Sequence, residues 1–281
     1  MAPDQIEDLY KALRDDPRLQ KNWERNQPRI DRALEAILIV RTPREAATAC
    51  LLACKLRFEP AAAACRLPAL DNELISWART QKQGGARLAN IVEGKTPADE
   101  EARTAAACAL MYYRNRAEGN DLVRLPWTHA GLTRLGAAAP DSVINPALKP
   151  TQAARAAEGL PRLAALINSP PAVEGDALRA RLRDIPGLGP ERADAVGCFA
   201  FRRSWPIVDE YLWQFLLRHQ IIGPEAAKVS GYDCRRKLFE PHWQRLLAAG
   251  LGDPTELAAT LYLWADEAQR YGFSYNLGEA T

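Results

Sequence analysis

Histidine and methionine are nearly missing from this chain of 281 residues, with three and two copies. Cysteine is scarce too. Of the six, Cys50 and Cys54 stand one helical turn apart with Cys65 following, but no histidine lies near them and no second close pair exists. In their alanine-rich surroundings the cysteines read as small buried apolar residues. No compact four-cysteine run occurs, which excludes an iron–sulfur cluster of the usual spacing. Stretches of Val, Ile and Thr in strict alternation are rare, so strands are not expected. No apolar run reaches the length of a membrane span, and the start MAPDQIEDLYKALRDD is charged from its fourth residue. The expectation is a cytoplasmic protein with no membrane partner. Charge of one sign does not dominate either: the net charge is +2 and the pI about 8.2, a weak hint of a polyanionic partner.

What remains is abundant alanine and leucine in a chain that is 47% apolar. Helical spacing recurs in DQIEDLYKALRDD, QPRIDRALEAILIV, TPREAATACLLACKL, NELISWARTQ and ADEEARTAAACALMYYRNR. It returns in TQAARAAEGLPRLAALI, GDALRARLRDI, PERADAVGCFAF, DEYLWQFLLRH and PTELAATLYLWADEAQR. Thr42-Pro43, Thr96-Pro97 and Asp253-Pro254 read as starts, each a capping side chain before a proline whose missing N–H costs nothing in the first turn. The fold class is all-α, with no internal repeat of fixed period. The glycines and proline of QKQGGARLANIVEGKTP, residues 81–97, read as a linker, and Gly223-Pro224 as a second break. Three regions follow: an N-terminal helical region of unknown role at 1–95, a core at 96–222, and a C-terminal region at 223–281 expected to pack with the N-terminal helices.

One stretch carries chemistry. In IPGLGPERADAV, residues 185–196, Gly187 and Gly189 flank Leu188 between two helical runs, and Pro190 opens the second run. Such a turn either simply reverses the chain or bares backbone N–H groups beside a helix N-terminus, where a phosphate can be held without side chains. Downstream, WPIVDEYLWQFLLRH is a short extended entry to a helix that begins at Asp209. Asp209 reads as an N-cap. The same position favours the ionised carboxylate, which suits stabilisation of a developing cation.

L-x-x-I-P-G-L-G-P-E-R-A-D-A-V, a helical run ending Phe-Ala-Phe, then P-I-V-D and a helix ending in Arg218, resembles the helix-hairpin-helix–GPD superfamily of DNA base-excision glycosylases. The likeness is specific over residues 178–218 and fainter through NPALKPTQAARAAEGL to about Ala105; the first ninety or so residues match nothing in that family. The resemblance implies two helical subdomains flanking a DNA-binding cleft, a helix-hairpin-helix motif, and an extra N-terminal helical region. It implies a DNA N-glycosylase of base excision repair, with Asp209 as the catalytic residue beside a flipped-out nucleotide. Gly187, Leu188 and Gly189 would lie on a DNA phosphate, with Glu191 and Arg192 in the adjoining first turn. A monovalent cation would be held by the carbonyls of Gly187 and Gly189; no other cofactor is implied. The partner is double-stranded DNA, met by a monomer.

The chain also departs from that pattern. Bifunctional members present a lysine at the position of Glu191, and a carboxylate cannot be an amine nucleophile. A monofunctional enzyme is expected. The alternatives are a lyase using Lys149 or Lys228, or a non-catalytic helix-hairpin-helix DNA-binding protein. The adenine glycosylases' glutamate has no counterpart in ALMYYRNR. Tyr112, Tyr113, Arg114 and Asn115 form a set that either fills a gap in a duplex or packs in the core. Trp205 is a candidate wall for the base, whereas Trp213 is expected inside. Arg202 and Arg203 either touch phosphate or form an exposed charged pair.

Overall fold

The computed structural model describes residues 5–20, 29–39, 42–65, 72–81, 83–114, 121–143, 146–270, 272–275 and 277, with the backbone alone at 20, 83 and 270. The described residues are helical and contain no strand. The chain runs through α1 (Gln5–Asp15), α2 (Pro17–Gln20), α3 (Arg29–Leu38), α4 (Arg44–Phe58), α5 (Asn72–Thr80), α6 (Gln83–Val92), α7 (Glu100–Arg114) and α8 (Asp121–Arg124). It continues through α9 (His129–Gly136), α10 (Pro140–Val143), α11 (Pro150–Asn168), α12 (Gly175–Arg183), α13 (Pro190–Phe199), α14 (Glu210–Arg218), α15 (Tyr232–Ala248) and α16 (Pro254–Arg270). Among the described residues, no helix is long and apolar enough to cross a membrane.

Packing divides the chain into two units: residues 25–189, and residues 1–24 together with 190–281. Composition placed the breaks at 95 and 222 instead. The segment 81–97 shows why the two divisions differ: it is not a linker, since most of it forms α6. Its glycines serve close packing. A Cβ on Gly84 would stand 2.5 Å from a Glu45 carboxylate oxygen, and one on Gly85 would stand 2.5 Å from the Ala78 carbonyl.

In the unit 25–189, α4 is buried continuously from Ala46 to Lys55 and packs against α7, α6, α3 and α9. A helix apolar all round belongs in a core, and its alanines and cysteines allow close approach to the equally small-residue AAACAL stretch of α7. Cys50 and Cys54 are part of this seam; their mutual hydrogen bond, then burial, push the Cys50 thiol well up. At the C-terminal end of the buried stretch, Lys55 Nζ meets Asp31 at 2.5 Å and the carbonyls of Leu125 at 2.6 Å and Leu122 at 3.3 Å. One ammonium thereby answers both a buried carboxylate and the open carbonyl end of α8. Glu59 does the converse at a helix N-terminus, accepting from the Thr128 N–H at 2.7 Å ahead of α9.

Two of the three sequence-read helix starts shift. α4 begins after Pro43, which has no capping side-chain hydrogen bond. α7 begins beyond Pro97 and is capped by Asp99, which accepts from Ala102 N–H at 2.8 Å. Asp253 does cap α16, accepting from Thr255 N–H at 2.7 Å.

In the other unit, α1 presents Ile6, Leu9, Tyr10 and Leu13 on one face and packs on α16 and α15. Its end is tied to the chain's C-terminal segment. The buried Asp16 carboxylate accepts from Arg18 Nη2 and from the Tyr275 hydroxyl, both at 2.6 Å, while the Arg18 guanidinium lies 3.8 Å over Phe273. Arg18, then Tyr275, pull the Asp16 carboxyl down to about 2 against the cost of burial. A depressed acid stabilises the fold above its unfolded pKa near 3.8 and loses that contribution as pH falls toward about 2. Because Arg18 is half exposed, the contribution is discounted to about 1 kcal/mol. Asp16→Asn should lower the melting midpoint by roughly 2–4 °C at neutral pH. The difference from wild type should vanish in melts across that acid window; a constant difference down to pH 2 would refute the assignment.

Candidate functional site

The turn that follows α12 is built from Ile185 to Leu188. Leu188 N–H donates to the Ile185 carbonyl at 3.0 Å, and Gly187 has φ +92°. Proline then glycine at the central positions, with positive φ at the second, is the pattern of a type II turn. Leu188 and Ile185 are buried. The turn sits on bare backbone: a Cβ on Gly159 of α11 would lie 2.2 Å from the Pro186 carbonyl, and one on Gly187 would lie 3.3 Å from Ile37 Cγ2. Gly187 is therefore required by conformation and packing alike. Gly189 differs, since its φ is not positive and a Cβ there meets nothing within 4 Å. Arg155 of α11 is exposed beside the turn, its Cβ 3.9 Å from a Cβ built on Gly187. Sequence reading passed over it because it lies thirty-odd residues upstream on another helix.

α13 opens at Pro190. The N–H groups of its first turn have no intrahelical acceptor, and Arg192 carries a buried Nε with no hydrogen-bond partner. Glu191 is half-buried. Burial, with Glu210, pushes its carboxyl up, while Arg192 and Arg235 pull it back. Arg235 is ion-paired with Glu210, and its guanidinium lies 5.8 Å over the Trp213 ring. Trp213 is buried, as expected.

At the far end of α13, Arg202 takes φ +52° and is exposed, 3.9 Å from both Asp253 and Glu256. Arg203 donates its backbone N–H to the Gly197 carbonyl at 2.9 Å. A ten-residue helix is about 15 Å long, so this arginine pair is a helix length from the first turn of α13.

The extended segment from 203 to 208 then lies along α13. A Cβ on Gly197 would stand 2.2 Å from the Trp205 ring, so the indole rests on bare helix backbone. Trp205 is packed there and half-buried. The segment delivers Asp209, which is 6% exposed and caps α14 with Oδ1 accepting from Leu212 N–H at 2.7 Å.

The aromatic pair on α7 is part of the unit 25–189. Tyr112 is buried, and Tyr113 packs against it edge-on with ring centroids 5.4 Å apart. The Tyr113 hydroxyl shares a 3.0 Å hydrogen bond with Thr48, which donates to Glu35, itself paired with Arg32. Tyr112 is thus a core residue, and the half-buried Tyr113 has its phenol committed to this polar chain. Arg114 pairs with Glu73 at 3.2 Å. Asn115 lies outside the described residues. Lys149 and Lys228 are both exposed, at the start of α11 and the end of a 3-10 turn.

Compared with family models, with curated proteins and with solved structures, the chain finds no match in any of the three.

Gly197→Ala tests the seat of the extended segment. Alanine is favoured over glycine in a helix by about 1 kcal/mol, but overpacking against a fixed ring costs about 1–3 kcal/mol. Overpacking should win at 2.2 Å, lowering the midpoint of a circular-dichroism melt by roughly 2–6 °C. A higher midpoint would mean that Trp205 is free to move aside.

Proposed function

We propose that the chain is a monofunctional DNA N-glycosylase resembling the helix-hairpin-helix–GPD enzymes, acting on a damaged or modified base in duplex DNA. The observation that carries this reading is Asp209, a buried carboxylate on a segment seated along the helix that follows the glycine turn. In this reading the electron pair of the N-glycosidic bond leaves with the base, which takes a proton from solvent. The sugar becomes an oxocarbenium ion, the Asp209 carboxylate offsets its charge, and water adds to C1′ as Asp209 accepts its proton. The backbone of the turn at Gly187 and Gly189, with Arg155 as a cation beside it, would bind a phosphate without reading sequence.

A monovalent cation at the turn would fall to the carbonyls of Gly187 and Gly189. The Ile185 carbonyl accepts from Leu188, and the Pro186 carbonyl faces Gly159. Glu191 offers no amine for a Schiff base, so the abasic product would remain uncut until alkali is added.

One observation favours the second reading, a duplex-binding protein in which Asp209 only caps a helix: its Oδ1 is used by Leu212. Asp209→Asn separates the two, since asparagine caps helices as well as aspartate. On a panel of duplexes each carrying one modified base, the mutant should keep its melting midpoint and its duplex affinity within a few-fold. Its single-turnover excision should fall on the order of a thousand-fold. Excision above about a tenth of the wild-type rate would sink the catalytic assignment.

Phosphate binding has its own test. Gly189→Val places a side chain where there is room and no strain, so folding should survive while binding to lesion and undamaged duplex weakens equally. Arg155→Gln should reduce the slope of log affinity against log salt by about one. Unchanged binding in both variants would leave the turn as a chain reversal only.

A further inference from the structure

Asp194 is fully buried on α13, about a turn and a half before the helix ends at Phe199. Its carboxylate accepts from the Tyr232 hydroxyl of α15 at 2.8 Å and lies 3.4 Å from Arg236 Nε. The same hydroxyl lies within hydrogen-bonding distance of the Pro206 carbonyl, at 3.2 Å, three residues before Asp209. A phenol has one proton. It is shared between the two acceptors, leaning to the nearer, charged carboxylate and keeping the carbonyl as its second partner. The order of the chain is thus Asp194 carboxylate, Tyr232 hydroxyl, Pro206 carbonyl, Asp209.

We propose that Tyr232, oriented by Asp194, is a positioning residue that holds the Asp209 carboxylate in register for the reacting sugar. The proposal rests on the glycosylase reading. It assigns Tyr232 no contact with DNA, only control of the backbone that leads to the carboxylate. Trp205 on Gly197 and Arg203 on the Gly197 carbonyl anchor the start of the segment, and Tyr232 holds it at Pro206.

The probes are two duplexes, one with a neutral tetrahydrofuran abasic analogue and one with a cationic pyrrolidine analogue. A well-placed carboxylate opposite the sugar favours the cation. Wild type should bind the pyrrolidine duplex more tightly, and Asp209→Asn should abolish the preference. Tyr232→Phe should cut the preference about ten-fold, the size of one hydrogen bond in a charged chain, while binding the neutral duplex as wild type does. Asp194→Asn, whose amide can still accept from Tyr232, should retain most of the preference.

A Tyr232→Phe protein with the full preference, or one that loses affinity for both duplexes equally, overturns the positioning role. A wild-type protein with no preference overturns the glycosylase reading itself, a result visible before any Tyr232 variant is made.

Discussion

A carboxylate with no exposed surface has to be matched where it stands, and at Asp194 the match determines the path of the chain that follows α13. Tyr232 and Arg236 come from one face of α15, so satisfying the buried charge docks that helix on α13. The segment between α13 and α14 has no ladder or helix of its own to satisfy its backbone, and buried amides need partners. α13 supplies one at Gly197, and the Tyr232 hydroxyl meets the Pro206 carbonyl, so the approach to Asp209 is held from two helices. An interaction that begins as charge satisfaction thus becomes control over the position of a second carboxylate.

The unit 25–189 solves its own polar problem in the same way, at the edges of very apolar helices. Lys55, Glu59 and the Glu35–Thr48–Tyr113 chain each stand where a buried helix needs a cap, an end or a partner. Removing one member would strand the others in low dielectric, where an unpaired polar group costs more than the bond returns. This explains why two tyrosines beside arginines belong to the core. The phenol of Tyr113 is needed where it is, and projecting it into solvent would leave Thr48 and Glu35 short of a partner.

Local features were the legible ones. The all-helical class, the turn with its positive-φ glycine, and the Asp209 cap each depend on residues a few positions apart, which periodicity and turn chemistry report directly. The unit boundary at 189–190 was not legible, because it depends on α1 packing against helices more than two hundred residues away. Nor was the helical state of 83–92, where Gly84 and Gly85 look like flexibility and act as contact surface against Glu45 and Ala78. Arg155 and Tyr232 escaped for a related reason: each gains its meaning from a neighbour on another helix, and no spacing encodes that.

The environment of position 191 bears on the chemistry proposed for the site. A lysine there would enter a half-buried site already flanked by Arg192 and Arg235, and three cations in such surroundings would repel one another with little solvent screening. A glutamate is what those arginines fit, even though burial and Glu210 push its carboxyl up. Arg235 is further committed to Glu210 and stacked over Trp213, so its charge is part of the scaffold. A lysine at 191, such as a bifunctional enzyme of the proposed kind would need, would therefore be more than a change of one side chain. The surrounding charges are arranged for an acid, and installing an amine nucleophile would require remaking that arrangement, not only the residue at 191.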